Sequence, residues 1–160
     1  MSSLITDKQF KTAMGQFLTG VTIVSCIKQD GNPYGLTVNS FASVSLSPRL
    51  VLWSLIKGNS CASDFEQAKH FSIAFLAHEQ TELCGRFSTE HEDRFKGVDW
   101  HTGHTGAPVI AGALRVLECR SWQQYDGGDH IIHVGEVLHI HENENDLQPM
   151  SYFSGKVNDI

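Results

Sequence analysis

A mostly β protein, its strands antiparallel and wound into a barrel that closes or nearly closes, is what the 160-residue chain predicts. Six or seven apolar, β-branched runs recur along it, and Asp30-Gly31 and Gly127-Gly128 carry the signature of tight hairpins between them. Strands do not alternate with helices, and no G-x-G-x-x-G follows a strand. That sets aside a doubly wound nucleotide-binding fold and leaves a few helices at the margins of the sheet.

The elements follow in order. Thr6 and Gln9 have capping-box spacing, Phe10, Ala13, Met14, Phe17 and Leu18 recur at helical spacing, and Gly20 supplies a stop. This predicts a helix over 7–19 with its apolar stripe on the core. VTIVSCI (21–27) reads as a strand, Tyr34 to Leu46 as a long strand able to bend, and Ser47-Pro48 breaks it. LVLWSLI (50–56) reads as a buried strand, Ser60 as the cap of a short helix through Gln67, and FSIAFLA (71–77) as another strand. Residues 79–87 look helical, and 88–112 look like loop with a short helix. Leu114 to Tyr125 and His130 to His141 form a strand pair across the glycine turn, and MSYF (150–153) adds a last short strand. No repeat or linker interrupts the chain, so residues 1–160 are expected to form one domain.

Composition narrows the function. Twelve basic and 18 acidic residues give a net charge of −6, which speaks against nucleic acid as the main partner. Any phosphate-bearing ligand must be met by a few local cations. No apolar run is long enough for a membrane helix, and the first ten residues lack the blocks of a secretory signal, so a cytoplasmic protein without a membrane partner is expected. The four cysteines are widely spaced and read as reduced thiols, Cys26 and Cys119 as small buried hydrophobes.

The segment Thr37-Val-Asn-Ser-Phe-Ala-Ser-Val-Ser-Leu-Ser-Pro48 is dense in hydroxyl and amide groups. On one strand, Thr37, Asn39, Ser43 and Ser45 share a face and Val38, Ser40 and Val44 the other. A polar row of this kind is costly to bury unless hydrogen-bonded, and a flavin ring, with acceptors and an N–H along one edge, answers that need. A solvated face with cross-strand Ser/Thr pairs fits the same residues.

TVNSFASVSLSP resembles the T-x-x-S-F-x-S-V-S-x-x-P signature of the short-chain flavin reductase-like family. Gly128-Asp129-His130, in YDGGDHIIHVGEV, resembles that family's G-D-H motif. Weaker echoes occur in order from about residue 10 to 156: FKTAMGQFLTGVTIV, FSIAFLAHEQTELCGRF, GALRVLEC and MSYFSGK. The resemblance implies an antiparallel FMN-binding split barrel, a homodimer, and reduction of FMN or FAD by NADH or NADPH for a partner flavin-dependent monooxygenase. One departure is Arg49, where the family commonly has a second proline; it adds a charge beside the motif and bears on the shape of the local loop.

Carried over by position, the resemblance places Thr37, Val38, Asn39, Ser40 and Ser43 around the flavin ring. Ser54 and Leu55 then lie beside the ring or ribityl chain, and Lys57 and Ser60 at the phosphate. That last pair also fits a turn into a helix, where backbone N–H groups and a lysine favour an anion; an exposed turn with an ordinary cap fits as well. Arg86 and Phe87 are implied for the phosphate or an adenine, although a solvated helix end would read the same. His130 is the residue implied to place the nicotinamide; a surface histidine at a turn is the plain alternative.

Two other functions are compatible with parts of the chain. A non-catalytic flavin carrier on the same barrel would share the first motif but not need His130. Separately, His133, His139, His141 and Glu144 have ligand types and spacing found in cupin-like metal-binding barrels, though no second ligand block is evident in sequence.

Overall fold

The computed structural model describes residues 5–90 and 93–158. Helix α1 (Asp7–Gly15) opens the chain, held by the Thr6–Gln9 capping box, and strands β1 (Thr19–Gly20), β2 (Thr22–Ile27) and β3 (Pro33–Val38) follow. Next come β4 (Ala42–Leu46), β5 (Arg49–Ile56), α2 (Ala62–Gln67), β6 (His70–Phe75) and α3 (Thr81–Ser88). A small ribbon of β7 (Trp100–Thr102) and β8 (Pro108–Ile110) precedes the long hairpin of β9 (Arg115–Gly127) and β10 (His130–Glu142). Strands β11 (Ser151–Phe153) and β12 (Lys156–Asn158) follow, and β11 pairs with β1 on one side and β12 on the other in a three-stranded sheet.

The main sheet has seven strands in the order β3-β2-β6-β9-β10-β5-β4, with every pairing antiparallel. Its two edge strands, β3 and β4, are consecutive in the chain yet form no ladder with each other. The sheet therefore curls into a barrel that stays open along one seam. The expected long strand from Tyr34 to Leu46 is two strands, broken at residues 39–41, where the chain crosses that seam.

Burial explains the strand sequences. Val24, Cys26, Trp53, Leu55, Phe71, Ile73 and Cys119 fill the barrel, while Ile23, Ala74 and Val116 face a second cluster that includes Phe87, Phe95, Ile110 and Met150. Strands β2 and β6 are covered on both faces and so read as continuous apolar runs rather than alternating ones. All four cysteines are free thiols, and burial pushes those of Cys26 and Cys119 up to about 12.

Four expectations are corrected. Helix α1 stops at Gly15, and none of its residues is buried: Phe10 and Met14 on it, like Phe17 and Leu18 after it, lie more than half exposed. Periodicity tells which residues share a face, not which surface covers them. Helix α2 is capped by Cys61 without a side-chain bond, so Ser60 does not cap it; the preceding turn is held instead by Asn59 Oδ1 accepting from Cys61 N at 2.9 Å. The stretch from Ser88 to Gly112 supplies the β7–β8 ribbon rather than a short helix among the described residues. A bulge at Leu138 of β10, between Val137 and His139, separates His133 from the parity it was expected to share with His139 and His141; a second shift, at Val134/Gly135, is taken up by Trp122 on β9. His133 ends up buried and stacked on Trp53, while His139 is exposed.

Candidate functional site

The open seam is a groove of about 790 Å³, within the size range of small-molecule sites. One wall is the end of β3 with its continuation, Leu36 to Ser40, and the other is Ser54, Leu55 and Ile56 on β5. Gly127, His130 and Ile132 of the β9–β10 hairpin form one end, Asn59 lies in the turn after β5, and Phe10 and Met14 of α1 overhang the opening.

A single hydroxyl holds the walls together. Ser40 Oγ accepts from Ser54 N at 2.9 Å and donates to Ser54 O at 3.3 Å. Two hydrogen bonds to one residue mimic a rung of ladder where no ladder exists. Thr22 Oγ1 donates to Val38 O at 2.9 Å, and Thr37 Oγ1 donates to Cys84 O at 2.9 Å, tying the strand end to β2 and to α3. Among the described strands β3 pairs only with β2, so its other edge carries backbone groups outside any ladder, of which Gly35 O accepts from Arg94 Nη1 at 2.8 Å.

This combination fits a flat heteroaromatic ring. Leu36, Val38, Leu55, Ile56 and Ile132 offer apolar walls, short side chains at 40 and 54 leave room for close approach, and the free edge of β3 offers donors and acceptors to a polar ring edge.

The rim is charged and tightly turned. Gly128 has φ of +83°, and its N–H donates to Asp126 Oδ1 at 3.0 Å. Lys57 Nζ pairs with Asp126 Oδ2 at 2.6 Å, and Lys57 N donates to Asp129 O at 2.9 Å, so the hairpin tip is anchored to the end of β5. His130 Nδ1 lies 2.7 Å from Asp129 Oδ1. That hydrogen bond draws the exposed Asp129 carboxyl below its ordinary range, and the Lys57 contact does the same for Asp126. The imidazole is thereby oriented by its neighbour while its other nitrogen stays available.

Of the sequence-derived site residues, Thr37, Val38, Asn39, Ser40, Ser54, Leu55 and His130 come together in the groove. Lys57 sits at its rim, engaged with Asp126. Ser60 is exposed in the turn beyond Asn59, its hydroxyl 3.9 Å from Cys61 Sγ. Ser43 is not gathered in: it is exposed on β4 opposite Val51, because the break at 39–41 cancels the parity that linked it to Thr37. Arg86 and Phe87 also stand apart. Arg86 donates to Lys96 O and lines a different cleft, and Phe87 is 1% exposed, edge-on to Phe95 in the core. Arg49 opens β5 opposite Leu46, outside the groove. Asn59, Ile56 and Ile132 were missed; only Asn59, beside Gly58 at φ +93°, carries a turn signal that could have marked it.

Residues 14–160 match the family model described as the flavin reductase like domain. The FMN reductase (NADH) SmoA of Agrobacterium fabrum is 45% identical over 149 residues, covering 93% of this chain and 83% of that protein. The flavin-dependent monooxygenase reductase subunit HsaB of Rhodococcus jostii is 36% identical over 156 residues, covering 98% and 79%. Among solved structures, the NADH:FAD oxidoreductase SgcE6 of Streptomyces globisporus, in complex with NAD and FAD fragments, superposes with a TM-score of 0.90 at 35% identity. That match covers 99% of this chain and 97% of the other.

Proposed function

The chain belongs to the flavin reductase-like family, and from that premise we propose that it is an NAD(P)H-dependent flavin reductase whose working site is the seam groove, supplying reduced flavin to a partner monooxygenase. The observation that carries the assignment is the convergence of Asn39, Ser40, Ser54 and His130 on one groove between unpaired strand edges.

FMN or FAD, when bound, supplies a ring that accepts hydride from a dihydronicotinamide. The chain supplies placement. The outer edge of β3 would hold the polar edge of the ring, the aliphatic walls would exclude water, and His130 at the rim would orient the nicotinamide through the ring nitrogen not turned to Asp129. Lys57 and the turn at Asn59 and Ser60 would meet the phosphate, which would replace Asp126 as the partner of Lys57. Hydride transfer needs no side chain as acid or base, so a site without a nucleophile–base pair suffices.

NADH and FMN are the preferred pair in this reading, in line with the name of the Agrobacterium fabrum relative, an FMN reductase (NADH). The protein works as a cytoplasmic homodimer, one domain per chain; the uncovered apolar residues Phe10 and Met14 of α1 and Phe17 just beyond it support a second copy as their cover.

The test is NADH oxidation by purified protein with no flavin, with FMN and with FAD. Consumption that depends on added flavin is expected. Flavin binding without NADH consumption would reassign the chain as a flavin carrier, and neither would overturn the reading.

A further inference from the structure

Far from the groove, four imidazoles collect around one buried carboxylate. Glu118, on β9, is 0% exposed. Its Oε1 accepts from His104 N at 3.0 Å and lies 2.6 Å from His141 Nε2; its Oε2 accepts from Thr105 N at 2.7 Å and from the Thr105 hydroxyl. The rings of His104 and His141 are stacked with centroids 5.7 Å apart, His139 stacks on His104 at 4.6 Å, and His101 stands edge-on to His141 at 6.0 Å. Ligand atoms of His104, Glu118 and His141 all lie within 4.8 Å of one another.

From this constellation we propose a binding site for a divalent first-row transition metal ion, such as Zn²⁺ or Co²⁺, with His104, His141 and Glu118 as its protein ligands. Two imidazoles and one carboxylate are a donor set such ions take, with metal–nitrogen and metal–oxygen bonds of about 2.0–2.2 Å. Glu118 is held for this role. Three donors from the turn between β7 and β8 fix the carboxylate, leaving the Oε1 side, where His141 already sits, for the ion. On binding, the ion takes the place of the hydrogen between His141 Nε2 and Glu118 Oε1, and the proton passes to Nδ1 or to solvent. His104 and His139 are exposed, which leaves a way in and room for water as a further ligand.

The second ligand block that the sequence lacked is therefore the His101–His104 turn, brought to β10 by the Glu118 contacts. His133 is excluded by its burial against Trp53. The site is also separate from the groove. His141 and His130 lie at opposite ends of β10, eleven residues and so roughly 36 Å apart along the strand. The ion fastens the β7–β8 turn to the strand end, so it stabilises the fold there and takes no part in hydride transfer.

Chelator-treated protein titrated with Co²⁺ and Zn²⁺, by visible absorption and calorimetry, tests this. One ion per chain is expected, with Co²⁺ developing visible bands and Zn²⁺ raising the melting temperature. His104→Ala and His141→Ala should each lower affinity by about 100-fold or more, or ~2.7 kcal/mol, and abolish the melting shift. His130→Ala should bind as the parent does. Circular dichroism of each variant separates loss of the site from loss of the fold; Glu118→Gln is a further arm if both histidine variants fold. No saturable binding, or equal binding by the His104 and His141 variants, overturns the site and leaves an ordinary histidine–glutamate hydrogen bond.

Discussion

His130 and His133 lie three residues apart on β10 and have opposite fates. The first stands at the groove rim with Asp129 behind it; the second is 4% exposed, its ring 4.6 Å from that of Trp53. For His130→Ala, flavin-dependent NADH oxidation should fall about tenfold in kcat/KM, the loss of roughly 1.4 kcal/mol of placement, while flavin affinity changes less than about twofold. Stopped-flow reduction beside a flavin titration checks it; equal loss in both would remove the nicotinamide role. Burial lowers His133 to about 4 from an ordinary value near 6.5. A histidine depressed in this way stabilises the fold fully above its unfolded pKa and loses that contribution as pH falls from about 6.5 toward 4. The loss should reach on the order of 3 kcal/mol by pH 4. Urea midpoints at pH 7 and pH 4.5 measure it, and His133→Phe should flatten the difference.

Strand β10 carries one bulge, faces another in β9, and holds a glycine that sequence periodicity passes over. A Cβ on Gly135 would come within 2.4 Å of Phe71 Cζ and 3.0 Å of Cys119 Cβ. The glycine lets the Phe71 ring lie under the strand and reach Trp53, centroids 6.0 Å apart. Gly135→Ala should therefore cost about 1–3 kcal/mol by overpacking, seen as a melting temperature lower by roughly 3–10 °C in calorimetry. Most strands were legible because their apolar runs lie on doubly covered stretches, as in β2 and β6. The groove residues were legible as a motif, since Thr37 to Ser40 are adjacent in the chain. Ser43 was not separable from them, because the break at 39–41 depends on Ser40 finding Ser54 across a seam, a long-range event. Phe87 was misplaced for a similar reason: a helix of mixed residues does not announce which face meets the barrel. The His104–Glu118–His141 group joins three segments and has no local signature at all.

At the level of the whole molecule, Phe10 and Met14 of α1 and Phe17 just beyond it form an uncovered apolar face. Phe17 is 74% exposed and Met14 55%, values unlike those of a surface that meets water alone. Phe10 and Met14 also overhang the groove, so a second copy seated on α1 would narrow its opening. Phe17→Glu should shift sedimentation from dimer to monomer, and flavin affinity should fall with it, by several-fold or more. A parent that sediments as a monomer would end the idea. The charge of −6 is compatible with such self-association because it is spread thinly over 160 residues.

The unclosed seam has a mechanical corollary. Where β3 and β4 fail to meet, a guest molecule lying between Asn39 and Ser54 becomes the missing stave of the cask, bridging parts of the chain that the Ser40 hydroxyl clasps. Loading with FMN should accordingly slow amide exchange at residues 36–40 and 54–56 well beyond its effect on β6 and β9, whose hydrogen bonds are complete without it. Uniform protection across the sheet would mean that the guest sits elsewhere.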